Sequence, residues 1–181
     1  MTLKQLYSIV FAIFVIACNQ QTSPKAPTLG ETTEGETIYL GVITHEHLNN
    51  DEFTPWFLPA HENFQVDETW VKQHKPLAKK MEFYLFMGTW CEDSQREVPG
   101  MIRLVEKLER EDDLHIYALD EFKQSAEGVE KKWNIEQVPT LIVMEGGEEI
   151  NRIVEFPMDT LEEDLGIILR KEPYKHAYAT D

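Results

Sequence analysis

The stretch from Phe83 to Pro99 limits what this chain can become more than any other. Its first residues, Phe83 to Met87, form an apolar run with the length and aromatic content of a buried strand. Gly88 and Thr89 end the run, and a helix can start directly after Trp90. Cys91 then falls at a helix N-terminus, where unpaired backbone N–H groups and the positive end of the dipole favour a thiolate. A strand that hands a cysteine to a helix start is a way to build a nucleophilic sulfur. Three residues on, the chain has Ser94 and no second cysteine.

The flanking sequence predicts alternating elements. Ile38 to Ile43 reads as a strand. Residues 44 to 65 hold His45, His47, Trp56, Phe57, His61 and Phe64 without clear periodicity, which predicts a packed irregular segment. Asp67 suits the N-cap of a short helix through His74, with Pro76 just beyond. The helix after Cys91, residues 92 to 110, carries Val98, Ile102, Val105 and Leu108 as an apolar stripe, with Pro99 inside it as a bend. Leu114 to Leu119 reads as a strand, Lys123 to Trp133 as a helix and Thr140 to Met144 as a buried strand. Gly146-Gly147 marks a hairpin turn to a partner strand at 149 to 156. Thr160 to Arg170 closes the fold as a helix, and the last ten residues read as frayed. Alternating units followed by a hairpin imply an α/β fold, a mixed central sheet with helices on both faces.

Ahead of this domain, residues 1 to 17 place one positive charge, Lys4, before an apolar run too short for a membrane-spanning helix. The end of the run, Val15-Ile16-Ala17-Cys18, resembles the lipobox of bacterial lipoproteins. That resemblance implies cleavage before Cys18, lipidation of its sulfur and acylation (palmitate-type chains) of its new amine. More than one acyl chain makes a stable membrane anchor. Residues 18 to 36 are then the lipidated cysteine and a polar tether, 37 to 171 the folded domain and 172 to 181 a tail. The formal net charge is −16, and it becomes one unit more negative once Lys4 is removed. Such a surface repels phosphate backbones, so nucleic acid is excluded as a partner.

The order of elements and their motifs resemble the thioredoxin-like superfamily across nearly all of residues 37 to 170. Trp90-Cys91-Glu92-Asp93-Ser94 stands where that family has Trp-Cys-Xaa-Xaa-Cys. Pro99 matches the proline of the active-site helix, Val138-Pro139-Thr140 matches Ile-Pro-Thr with its cis proline, and Gly146-Gly147 matches the terminal hairpin. The longer strings Gly88 to Pro99 and Trp133 to Thr140 are similar to a lipoprotein or periplasmic branch with a single active-site cysteine. The resemblance implies thiol–disulfide exchange at Cys91 with Ser94, Trp90 and Pro139 around it, and no cofactor. Three positions depart from the family. Ser94 replaces the resolving cysteine, and Leu85 stands where many members bury an aspartate. Glu155 falls where a glycine is usual, adding a carboxylate that could relay protons or raise the Cys91 pKa, while Glu92 and Asp93 in the helix's first turn suit the dipole but oppose the negative sulfur.

Without a second thiol, a mixed disulfide at Cys91 is released only by an outside thiol or by another cysteine of the substrate. The expected activity is isomerase-like or monothiol exchange. Its expected partners are envelope proteins bearing thiols or disulfides, an external thiol reductant and, through the lipid anchor, the membrane. The expected location is the bacterial cell envelope, facing periplasm or exterior. The alternative is a non-enzymatic binding module using the surface around Trp90 and Val138. His45 and His47 could bind a metal with Cys91, but the paired cysteines of metal-carrying relatives are absent, so no metal is expected.

Overall fold

The computed structural model describes residues 27–180. The expected signal segment, Cys18 and the first part of the expected tether, up to residue 26, lie outside the described residues. A six-stranded mixed sheet is built from β1 (Thr28–Glu31), β2 (Thr37–Ile43), β3 (Met81–Met87), β4 (Leu114–Ala118), β5 (Thr140–Glu145) and β6 (Glu148–Val154), in the order β1-β2-β4-β3-β5-β6. β3 and β4 are parallel, and every other pair is antiparallel. The helices are α1 (Thr54–Asn63), α2 (Glu68–Ala78), α3 (Glu92–Lys107), α4 (Val129–Lys132) and α5 (Leu161–Leu169).

Strand side chains alternate between the two faces. Met81, Phe83, Leu85 and Met87 of β3, with Leu141 and Val143 of β5, point into the larger core, where Phe57 of α1, Ala78 of α2, Met101 and Ile102 of α3, and Leu165 of α5 meet them. Phe86, Ile142 and Met144 point the other way, to a smaller cluster closed by Leu119, Ile135 and Val138. Helices thus lie on both faces, but very unequally.

Several local expectations are corrected. Residues 54–63, read as irregular, form α1: Pro55 occupies the first turn, where its missing N–H is not needed, and Pro59 masks the helical pattern from within. α2 has the expected cap, the Asp67 carboxylate accepting from Thr69 N at 2.6 Å. It then continues through Pro76 to Ala78, because buried His74 and Ala78 hold its inner face. The predicted helix from Lys123 shrinks to α4. The Asp120 carboxylate accepts from the N–H groups of Phe122 and Gln124, and Gly128 has φ 64°; these side-chain bonds divert the backbone from a helix.

Within the stretch read as tether, Thr28–Glu31 pairs with β2. Gly30 permits this, since a Cβ there would meet the Leu40 side chain at 2.8 Å. The tail is not frayed up to residue 180: Tyr174 donates to Asp164 at 2.6 Å, and Tyr178 donates to Glu155. Gly146 and Gly147, both at positive φ, form the expected hairpin turn.

Candidate functional site

β3 ends at Met87, and its continuation delivers Cys91 as the N-cap of α3. The loop between is tightly specified. Gly88 lies under the Trp90 indole, and a Cβ at residue 88 would come within 2.5 Å of that ring. The Trp90 indole N–H donates to the Leu119 carbonyl at 3.0 Å. Buried Thr89 accepts from Tyr39 N at 3.1 Å, tying the loop to β2, and the Gln95 amide donates back to the Thr89 carbonyl at 2.8 Å. Cys91 is half-buried at the border of the smaller core cluster and is the free cysteine among the described residues.

The Cys91 thiol makes no capping bond to the first turn of α3; it donates to the Val138 carbonyl at 3.4 Å. The Val138–Pro139 peptide is cis. Ser94 sits fully buried one turn into α3, where its hydroxyl accepts from Gly88 N at 3.2 Å. That bond holds the end of β3. Leu85 is fully buried in the larger core, so no carboxylate lies at that position.

Asp93 forms an ion pair with Arg96 at 2.6 Å, and Arg96 also reaches Glu97 at 2.7 Å. Hydrogen bonds to Glu97 and Asp93 hold the Arg96 guanidinium above its ordinary pKa, so its charge is spent on those two carboxylates. Glu155 has φ 65°, the left-handed conformation in which glycine is usual. Its N–H donates to the Pro139 carbonyl at 2.7 Å, and its carboxylate accepts from Tyr178. The hydrogen bond this carboxylate makes is therefore with the tail. On the same face burial, joined by Glu82, pushes Tyr84 up to about 12, and burial also raises Tyr117.

The structure thus brings together Trp90, Cys91, Ser94, Val138 and Pro139. It does not gather His45 and His47 with them: His47 Nδ1 is occupied by Thr44 at 2.9 Å, and no group of three metal-ligating side chains forms among the described residues. The Leu119 carbonyl, Thr89, Gln95 and Tyr178 carry contacts that no sequence pattern signalled. Gly88 was legible only as the end of a strand. No described helix is long and apolar enough to cross a membrane.

No protein-family model matches the chain. Thioredoxin H2-2 of rice (Oryza sativa subsp. japonica) is 26% identical over 110 residues, spanning 61% of this chain and 78% of that protein. The fold is thioredoxin-like. Among solved structures, a protein of unknown function from Pseudomonas aeruginosa overlaps 65% of this chain and 72% of its own, with a TM-score of 0.46 and 10% identity. Thioredoxin f2 of Chlamydomonas reinhardtii overlaps 62% and 98%, with a TM-score of 0.38 and 18% identity. Trxlp of Edwardsiella tarda overlaps 57% and 94%, at 0.39 and 16%.

Proposed function

We propose that the protein is a lipid-anchored thiol–disulfide exchange protein of the bacterial cell envelope, acting through Cys91 in an isomerase-like or monothiol cycle. The observation that carries this reading is the placement of a half-buried cysteine at the head of a sixteen-residue helix, 3.4 Å from the carbonyl before a cis proline. The Cys91 thiol gives its proton to solvent, since no carboxylic acid lies at residue 85. The thiolate attacks one sulfur of a target disulfide. That S–S bond breaks, a mixed disulfide to Cys91 forms, and the departing target thiolate takes up a proton. Ser94 cannot close the cycle. An external thiol, or a further cysteine of the target, attacks the mixed disulfide, breaks its S–S bond and frees Cys91. In an isomerase-like cycle the target leaves with its disulfide relocated and no net change in redox state.

Anchoring rests on the lipobox resemblance at Val15 to Cys18, and envelope partners follow from it. Acid-quenched alkylation of cells followed by non-reducing electrophoresis tests the chemistry. Disulfide-linked adducts form with the native chain and vanish in Cys91→Ser. No adducts with either chain would overturn the reading. Cys18→Ser releases the protein from the membrane fraction, and a variant that stays bound refutes the anchor.

A second reading, a binding module without turnover, draws on two observations. Residue 85 is an apolar core residue, and position 94 holds a serine that accepts from Gly88 N and offers no second thiol. Under it, Cys91→Ser keeps full cellular function.

A further inference from the structure

From the sulfur, three consecutive contacts lead to the C-terminal tail. Cys91 donates to the Val138 carbonyl, the Pro139 carbonyl accepts from Glu155 N, and the Glu155 carboxylate accepts from Tyr178. The tail is fastened unevenly. At its root, Tyr174 is half-buried against the larger core. Its hydroxyl donates to Asp164 at 2.6 Å, and its carbonyl accepts from the Asn151 amide at 3.0 Å. Asp164, almost wholly buried, also accepts from Met158 N at 2.6 Å, so one carboxylate secures both the tail root and the loop that begins at Glu155. At its tip the tail turns on His176, which accepts from Tyr178 N at 3.2 Å, and this returns the Tyr178 ring toward Phe156, 6.5 Å away. Tyr178, Phe156 and Met158 are all exposed there. The Tyr178 hydroxyl makes its bond to Glu155 in contact with water, while Tyr174 is held by burial and two hydrogen bonds.

A buried anchor at Tyr174 and a water-exposed latch at Tyr178 suit a strap that opens without unfolding the domain. Glu155 adds a second reason. Its left-handed backbone is disfavoured for any residue with a side chain, so the carboxylate is present at a conformational cost, and the partner it takes is Tyr178. We propose that residues 173–180 are a strap gating the cis-proline shoulder of the Cys91 site, and that the Tyr178–Glu155 latch decides whether a protein-sized partner reaches the sulfur. The proposal rests on Cys91 being the reacting group, but it concerns access and is measured without turnover.

The full chain is reacted with N-ethylmaleimide and with a protein-sized polyethylene-glycol maleimide, and modification of Cys91 is followed by peptide mass spectrometry. In Tyr178→Ala and Glu155→Gly the bulky reagent reacts about five- to tenfold faster, the factor associated with losing one ordinary hydrogen bond at a water-exposed site. N-ethylmaleimide changes by less than about twofold, as expected for a surface substitution. Tyr178→Phe keeps the ring, loses the hydroxyl and shows an intermediate rate. Glu155→Gly also relieves the left-handed backbone, so its melting temperature does not fall, which separates an open latch from a damaged fold. Unchanged bulky-reagent rates in both Tyr178→Ala and Glu155→Gly overturn the strap. Faster rates without mixed disulfides in cells support the strap and refute the exchange reading. Equal trapping of mixed disulfides by native and Tyr178→Ala chains, with equal bulky-reagent rates, refutes the strap and leaves the exchange reading standing.

Discussion

On one face of the sheet, Met81, Phe83, Leu85 and Met87 disappear under four helices; on the other, Tyr84 and Phe86 of the same strand meet a loop, a one-turn helix and a few apolar side chains. The two covers are held by different forces. The helical cover is held by area: Phe83, Leu85, Met101 and Ile102 are completely removed from water, and each contributes about 1.5–3 kcal/mol through its burial. The loop cover is held by side-chain hydrogen bonds to backbone. Asp120 takes two N–H groups, Ser125 takes Val129 N at 2.9 Å, and the Glu130 carboxylate takes both the N–H and the hydroxyl of Ser125. Cys91, Trp90 and Val138 belong to the border of this second, thinner region. Cys91 is therefore carried by a helix of the densely packed side and lies against the border of the side held by hydrogen bonds.

The largest expected difference between the two faces comes from Phe83→Ala, which removes a ring that has no exposure at all and should cost about 3–5 kcal/mol. Urea unfolding followed by far-UV circular dichroism measures it as a fall in the midpoint for the whole domain. A smaller loss is expected from Ser125→Ala, which deprives Glu130 of a donor and Val129 N of its acceptor. Glu130 is buried and already has one oxygen, Oε1, without a partner. The substitution should cost about 1–3 kcal/mol. Hydrogen exchange should show the loss confined to residues 120–135, with β3 and β5 amides still protected. If Ser125→Ala melts the strands as readily as Phe83→Ala, the two faces are not separable and the division fails.

The smallest effect sharpens the same contrast through pH. Glu106, on α3 in the helical cover, bonds His61 at 3.0 Å and Arg103 at 3.2 Å. Burial pushes its carboxyl up, but hydrogen bonds from His61 and Arg103 outweigh burial and hold it below its ordinary value of 4.5. A carboxylate depressed in the folded state stabilises the fold above that value, and the contribution disappears as pH falls through the lowered value. The native chain should then exceed Glu106→Gln in stability near neutrality by no more than about 1 kcal/mol, given the partial exposure of the pair. The gap should close as the pH drops below 4.5. A constant gap in urea midpoints across that range would show that packing, not charge, is what Glu106 supplies.

Most of what positions the site was legible because it is local. The apolar run at 83–87, the helix start at Cys91, Val138-Pro139-Thr140 and the Gly146-Gly147 hairpin each carry their structural reason within a few residues. Three features were not legible, for three different causes. Pro55 and Pro59 broke the visible period of α1 although the first suits a helix start and the second is tolerated inside. Asp120, Ser125 and Glu130 replaced a helix by side-chain bonds whose partners no periodicity reveals. The Tyr178–Glu155 contact joins residues 23 positions apart in separate segments, and only the folded chain brings them together. At Ser94 the residue type was informative about what chemistry is lost, but not that its hydroxyl anchors Gly88.

The strand β1 also bears on the proposed anchorage. A tether running from Cys18 to residue 36 would be a leash of about nineteen residues, reaching at most about 60–70 Å when fully drawn out. Because Thr28 is already paired with Leu40 at the sheet edge, the span left between Cys18 and the sheet is about ten residues, a reach of at most about 33–36 Å. A domain lipidated at Cys18 would then patrol a shell little deeper than its own width. Its substrates would be those that come to the membrane surface, and lengthening the leash would widen its catch without touching the site.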